Sequence, residues 1–267
     1  MKQTISIRDI MAKKGKERIV MITSYDATMT RIIDATDVDI ILVGDSAGMV
    51  MAGGDSTLGV TMDQMIYHTL CVTRTKPKAL VIGDMPFLSY QTSVSDAVRN
   101  AGRFLQEAGA QAVKLEGGKR VIEQVKAIIR ADIPVMGHLG LTPQSVHAFG
   151  GYKVQARGKE AAKLLLENAL ALQDAGVFSM VLEGVPAPVA KEVSEALDVP
   201  TIGIGAGPDC DGQVLVIQDM LGMDKTFKPK FVKHYAKLFD VIKGAVDTYA
   251  AEVKQGAFPA QEHCYKD

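Results

Sequence analysis

The chain has 267 residues, 47% of them hydrophobic and 23% charged, and a formal net charge of -1. That is an ordinary soluble globular composition, long enough for one large domain or two small ones. With no global basic field, no Trp and 6% aromatic residues, neither a nucleic-acid partner nor a membrane surface is expected.

The three cysteines, Cys71, Cys210 and Cys264, are far apart and form no CxxC pair. That argues against a disulfide framework or a zinc knuckle. The N-terminal stretch lacks the apolar core of a signal peptide, and no apolar run reaches the roughly 18 residues a membrane span needs. A cytoplasmic protein is therefore expected.

In chain order, residues 5–13 predict a short amphipathic helix with Ile5, Ile7, Ile10 and Met11 as its apolar positions. Standing before the first strand, it is placed to close one end of a larger structure. The basic cluster KKGKER that follows reads as a solvated turn. A repeat then sets in: a short apolar run ends in a polar residue and glycine, and a helical stretch follows. The strand candidates are 18–26, 39–46, 79–85, 112–117, 134–140, 178–184, 201–207 and 213–220. Most are continuously apolar, as parallel strands covered on both faces are. The helical stretches between them have readable ends: Thr61 or Asp63 and Ser93 or Ser95 as N-caps, and Ala-Gly steps at 108–109 and 175–176 as left-handed C-caps. Eight such units favour a closed (β/α)8 TIM barrel over an open doubly wound sheet, because polar residues end most strands instead of marking one switch point. The expected organisation is one domain over 1–267, with the barrel at about 18–225 and C-terminal helices and a tail at 226–267. Residues 231–255 predict one or two helices with Phe231, Tyr235, Leu238, Phe239, Ile242 and Val246 as apolar positions.

The strand ends carry Asp26, Asp45-Ser46, Asp84, Lys114 and Glu116, His138, Glu183 and Asp219. Asp26 reads as a helix cap, and Asp219 serves equally well as a loop cap. Each of the others has a dull explanation alone, a turn former at Asp84 or a satisfied core histidine at His138. Their recurrence at equivalent positions points to one mouth. Lys114 and Glu116 share a strand face by alternation, and with nothing bound between them the two would pair. Three carboxylates at one mouth, Asp45, Asp84 and Glu116, repel one another unless a cation intervenes. Hard oxygen donors without a nearby thiolate favour Mg²⁺, with one of the three acting through water. Lys114 adds positive charge for an anionic substrate, and Glu183, left uncommitted, is the natural general base. The residues alone therefore read as a Mg²⁺-dependent enzyme that forms an enolate from a small oxo acid.

At these positions the sequence resembles the ketopantoate hydroxymethyltransferase family. The resemblance rests on SYDA (24–27), GDSAGMV (44–50), TMDQMIYHT (61–69), GDMPFLSYQ (83–91), AVKLEGG (112–118), PVMGHLGLTPQSV (134–146), GGYKVQAR (150–157), VLEGVP (181–186), GIGAGPDCDGQVLV (203–216) and FKPKFVKHYA (227–236). It implies a (β/α)8 barrel and a homodecamer built as a pentamer of dimers. It implies transfer of a hydroxymethyl group from 5,10-methylenetetrahydrofolate to 3-methyl-2-oxobutanoate through a Mg-stabilised enolate, giving 2-dehydropantoate, as the first step of pantothenate biosynthesis. Motif by motif it assigns one Mg²⁺ per subunit to Asp45, Asp84 and Glu116. Substrate contacts fall to Asp45, Ser46, Asp84 and Lys114, with His138 close by, and Glu183 is the proton acceptor. The glycine-rich segment 203–212 is placed on the folate side. A rival reading, a Mg²⁺ enolate lyase or mutase, would call for a reactive cysteine in an active-site loop. Cys210 is the one candidate, and it stands in the wrong segment.

Overall fold

The computed structural model describes residues 4–266. The chain divides into two compact units, Met1–Val216 and Ile217–Asp267. In the first, the order is α1 (Ile7–Ala12), β1 (Ile19–Thr23), α2 (Ala27–Ile33), β2 (Ile40–Val43), α3 (Ala47–Val50), α4 (Met62–Thr73), β3 (Leu80–Asp84), α5 (Val94–Gln106) and β4 (Ala112–Glu116). It continues with α6 (Ile122–Arg130), β5 (Val135–Gly140), α7 (Val146–Phe149), α8 (Lys159–Ala175), β6 (Ser179–Glu183), α9 (Ala187–Ala196), β7 (Thr201–Ile204) and β8 (Gly212–Leu215). The second unit holds α10 (Ile217–Met220) and α11 (Leu238–Gln255).

Each strand pairs in parallel with the next, and β8 pairs with β1, so the sheet closes into the eight-stranded barrel. The continuous apolar runs are explained by this closure: β2, β3 and β4 are buried at every position, facing either the barrel lumen or the helical layer. The helix ends are set by local chemistry. Asp26 caps α2 by accepting from the Thr28 and Met29 N–H groups, both within 2.9 Å. Thr61 and Gln64 form a reciprocal capping box on α4, and Ser93 caps α5. Gly109 and Gly176 leave their helices at φ 68° and 100°, conformations that cost a side-chain-bearing residue energy.

The lumen is filled by Ile19, Met21, Ile40, Leu80, Ile82, Ala112, Met136, Ile202 and Val214, with Ile10 of α1 packed among them. Thus α1 closes the N-terminal end of the barrel. Two ion pairs hold it there: Lys13 to Asp39 and Lys14 to Asp211, each at 2.8 Å. Asp39 and Asp211 stand just before β2 and β8. The expected solvated turn at KKGKER is therefore corrected: Lys13, Lys14 and Arg18 all reach acceptors of the barrel, Arg18 bonding the Cys210 carbonyl.

Two expected elements are shorter than their apolar patterns. The eighth strand ends at Leu215, and Ile217–Met220 is one helical turn, so Asp219 does not end a strand. In the second unit α11 begins only at Leu238. Phe231 and Tyr235 lie in turns, where Val232 N–H bonds the Pro229 carbonyl at 3.0 Å and Tyr235 N–H that of Met220 at 2.8 Å. Proline, lacking an N–H and fixing φ, ends regular structure there. Among the described residues no helix is long and apolar enough to cross a membrane.

Candidate active site at the barrel mouth

Strand register brings the polar residues together. Asp84 of β3 is level with Lys114 of β4, Glu116 of β4 with His138 of β5, and Gly140 of β5 with Glu183 of β6. Laterally paired residues of a parallel sheet present side chains to the same face. Asp45-Ser46 follow β2 directly. Gly140 makes the last step possible: at φ 91° its added Cβ would lie 2.2 Å from the Glu183 carbonyl oxygen. Only glycine lets β5 run that close to the strand that presents Glu183.

The result is a dense buried charge cluster. Asp45, Asp84, Lys114, Glu116 and His138 are all at most 5% exposed. Lys114 Nζ pairs with Asp84 Oδ1 at 2.8 Å, and the other oxygen of Asp84 accepts from the Asp45 N–H at 3.0 Å. Lys114 thus pairs with Asp84 and not, as alternation alone suggested, with Glu116. The register explains this: Asp84 is its lateral neighbour, whereas Glu116 is level with His138. His138 Nδ1 lies 3.2 Å from Lys114 Nζ and 3.5 Å from Glu116 Oε1. Its Nε2 lies 3.3 Å from Glu183 Oε2, so the ring spans the gap between the carboxylate cluster and Glu183. Ser46 Oγ shares a hydrogen bond of 2.8 Å with the Tyr25 hydroxyl.

The electrostatics follow from burial and crowding. Burial, then the charges of Asp84 and Glu116, push the Asp45 carboxyl well above the usual range, with Lys114 and Gln144 opposing. Burial works against the Lys114 ammonium, but the charges of Asp84, Glu116 and Asp45 outweigh it, and its pKa is raised. Burial and the Lys114 charge likewise oppose protonation of His138, and the neighbouring carboxylates of Glu116 and Glu183 lift its pKa to about 9. Three carboxylates face the Lys114 ammonium, with His138 shared between Glu116 and Glu183, and Glu116 Oε1 is buried without a hydrogen-bond partner. An additional cation is what this donor set calls for, and its all-oxygen carboxylate chemistry suits a hard ion. Among the described residues no three His, Cys, Asp or Glu side chains are set to hold a metal ion between them. Mg²⁺ keeps waters and takes few direct carboxylates, so the donor set fits it without such an arrangement.

Two residues at the mouth lay inside the quoted motifs without a role. Gln144 donates to Asp45 Oδ2 and to the Met85 carbonyl, both at 2.9 Å, and its backbone N–H reaches Glu116 Oε2 at 3.1 Å. The Tyr90 hydroxyl donates to Gln144 Oε1 at 2.8 Å and accepts from the Glu116 N–H at 3.1 Å. Both are neutral, Gln144 in the single 3-10 turn Pro143–Ser145 and Tyr90 in a bend, so neither charge nor periodicity marks them. The one available signal was a polar side chain a few residues beyond a strand end that carries a charge.

Other expected candidates stand apart. Asp26 is the α2 cap, as its position suggested. Asp219 belongs to the short α10. Cys210 is buried before β8, at the barrel end opposite the mouth, where burial raises its thiol pKa; it supplies no reactive loop thiol. In the 203–212 segment Gly205 and Gly207 adopt φ of 60° and 80°, and a Cβ on Gly207 would lie 2.3 Å from that of Ala187. The glycines there serve a tight turn against α9.

Comparison with known proteins shows the family. A model of the ketopantoate hydroxymethyltransferase family matches residues 4–261. A 3-methyl-2-oxobutanoate hydroxymethyltransferase of Pelobacter propionicus is 56% identical over 266 residues, covering 99% of this chain and 98% of its own. Its counterpart in Syntrophomonas wolfei is 59% identical over 253 residues, covering 95% and 92%. Among solved structures, 2,3-dimethylmalate lyase, a PEP mutase/isocitrate lyase superfamily member, superposes with a TM-score of 0.63 at 16% identity, covering 97% of this chain and 90% of the other. Phosphonopyruvate hydrolase in complex with oxalate and Mg++ does so with a TM-score of 0.63 at 11% identity, covering 96% and 92%. At such identities these two report the fold alone.

Proposed function

The chain is a transferase of the ketopantoate hydroxymethyltransferase family, and on that premise we propose that it moves a one-carbon unit from 5,10-methylenetetrahydrofolate to C3 of 3-methyl-2-oxobutanoate. The observation that carries the reading is the arrangement of Glu183 outside the carboxylate–lysine cluster but joined to it by His138 at 3.3 Å. A base set beside a cluster that binds the oxo acid is what proton removal from C3 requires.

Asp45, Asp84 and Glu116 would hold Mg²⁺, which when bound supplies Lewis-acid polarisation of the 2-oxo group. Lys114, fixed by Asp84, contributes the ammonium that binds the oxo-acid carboxylate, and Ser46 adds a hydroxyl beside Asp45. His138 Nε2 orients Glu183 Oε2 toward the substrate. Glu183 takes the C3 proton, leaving the electron pair delocalised as an enolate. Opening of the folate ring to its iminium form breaks the first C–N bond, with a proton taken up by that nitrogen. Water adds to the iminium carbon. The second C–N bond then breaks with a water proton passed to its nitrogen, leaving tetrahydrofolate and the one-carbon unit as formaldehyde. The enolate carbon attacks that carbonyl, and its oxygen takes a proton to become the new hydroxyl. The products are 2-dehydropantoate and tetrahydrofolate. On this reading the reaction is the first step of pantothenate biosynthesis, carried out by a homodecamer in the cytoplasm.

A coupled assay tests the reading. 2-Dehydropantoate should form only when the oxo acid, methylenetetrahydrofolate and Mg²⁺ are all present. Equal formation after chelation of divalent ions, or with no folate donor, would refute it.

A further inference from the structure

We propose that Gln144 is a positioning residue that sets the carboxylate cluster for its cation, with Tyr90 fixing which way its amide points. This rests on the Mg²⁺ reading above. Gln144 is 5% exposed and every hydrogen-bonding group of its side chain is engaged. The Nε2 end faces only acceptors, Asp45 Oδ2 and the Met85 carbonyl, both at 2.9 Å. The Oε1 end accepts from Gln91 Nε2 at 3.2 Å and from the Tyr90 hydroxyl at 2.8 Å, shorter than that hydroxyl's 3.1 Å to the Glu116 carbonyl. That polarity leaves one orientation of the amide, since the flipped form would set oxygen against two oxygens.

One residue thereby ties together the ends of three strands. Its side chain holds Asp45 after β2 and Met85 after β3, and its backbone N–H holds Glu116 at the end of β4 at 3.1 Å. Asp45 Oδ2 and Glu116 Oε2 are the oxygens so engaged, while Glu116 Oε1 stays buried without a hydrogen-bond partner. Neutral donors hold the backs of two mutually repelling carboxylates without adding charge that would compete with a cation. A lysine in the same place would pair with them and displace it.

Tyr90 is held just as firmly. It is fully buried. The preceding turn is closed by Ser89 N–H to the Pro86 carbonyl at 3.1 Å, and Asn100 Nδ2 bonds the Ser89 carbonyl at 2.6 Å. Leu88 in that turn takes φ 64°, a left-handed conformation unfavourable for a residue with a side chain. An unfavourable backbone conformation beside a buried hydroxyl that spans Glu116 and Gln144 suits a segment built to place that hydroxyl. Groups that orient ligand side chains from behind typically change metal affinity by about 10–100-fold when removed.

The test is calorimetric titration of Mg²⁺ into protein saturated with 3-methyl-2-oxobutanoate, with thermal melting of the metal-free protein alongside. Gln144→Met, close in shape but with no donor, should weaken Mg²⁺ binding by about 10-fold or more. Tyr90→Phe should weaken it by a smaller factor. The double variant should lose less than the two single losses combined, because the hydroxyl and the amide share one hydrogen bond. If Gln144→Met does not fold, Tyr90→Phe carries the test: Mg²⁺ affinity equal to that of the parent protein overturns the proposal. In a folded Gln144→Met, parent-like affinity overturns it too, whatever the change in melting temperature. If the parent protein itself binds no Mg²⁺, the metal reading falls and this inference with it.

Discussion

The two ends of the barrel bury the same kinds of side chain to opposite effect. At the closed end, Asp211 accepts from Lys14 Nζ and the Thr201 N–H at 2.8 Å each, and from the Gly15 N–H and the Thr201 hydroxyl at 3.1 Å each. Burial opposes its ionisation, but Lys14, Thr201 and Gly15 outweigh burial and hold its pKa below the usual value. At the mouth, Asp45 accepts one hydrogen bond from Gln144 and faces Asp84 and Glu116, and its pKa is pushed up. A satisfied carboxylate adds stability when ionised, and a crowded one subtracts it. The closed end therefore anchors the fold, and the mouth keeps an unrelieved charge that a bound cation and substrate would relieve. This is the division of labour expected of such barrels.

The contrast can be broken most directly at Glu183. Glu183→Gln should reduce turnover by about 100- to 10,000-fold, measured by product formation, with little change in melting temperature because the side chain is partly exposed. At the closed end, Asp211→Asn should do the reverse. It should lower stability by about 2–3 kcal/mol at neutral pH, a charge-assisted network having lost its anion, while turnover below the melting transition stays at the parent level. Because the native pKa of Asp211 is depressed, its contribution is present above the unfolded carboxylate pKa and fades as pH falls through the native value. The gap in denaturant midpoint between variant and parent should therefore narrow on acidification.

Asp45→Asn should sharpen the comparison in the other direction. The raised native pKa means that the ionised group costs stability once pH exceeds the unfolded value. Metal-free Asp45→Asn should melt at or above the parent at pH 8, by about 1 kcal/mol, yet lose turnover. A melting temperature several degrees below the parent's would contradict the account of a crowded site. The smallest effect belongs to Asp219 of the second unit, whose pKa burial and Asp224 raise to about 6. Its contribution is intact below the unfolded carboxylate pKa and is lost as pH rises through about 6. Asp219→Asn should stabilise the protein by roughly 1 kcal/mol or less at pH 8 and by nothing near pH 3.

How much of this was legible in the sequence differs between the two ends as well. The mouth could be read because a charge that closes an apolar run is conspicuous, and parallel register then carries Asp84, Lys114, Glu116, His138 and Glu183 to one rim. Which of them pair could not be read, because Asp84 and Lys114 meet only through the lateral register of β3 and β4. At the closed end the plugging helix was legible, and only the basic turn after it was misread as solvated. Lys13 and Lys14 sit in a run of basic residues whose solvated appearance hides that Asp39 and Asp211, far along the chain, lie beneath them. The run 213–220 is apolar enough for a strand throughout, and only the backbone hydrogen bonds from Ile217 onward make its second half helical. Gln144 and Tyr90 escaped notice because neutral side chains in single turns and bends carry no pattern.

The central claim, that the mouth removes the C3 proton of the oxo acid through Glu183, is tested by one measurement. Proton NMR would follow 3-methyl-2-oxobutanoate in D₂O with Mg²⁺ and no folate, using the parent protein, Asp211→Asn and Glu183→Gln. The C3–H signal should be lost at equal rates with the parent and Asp211→Asn, and should persist with Glu183→Gln. Loss of that signal at the parent rate in Glu183→Gln would contradict the claim.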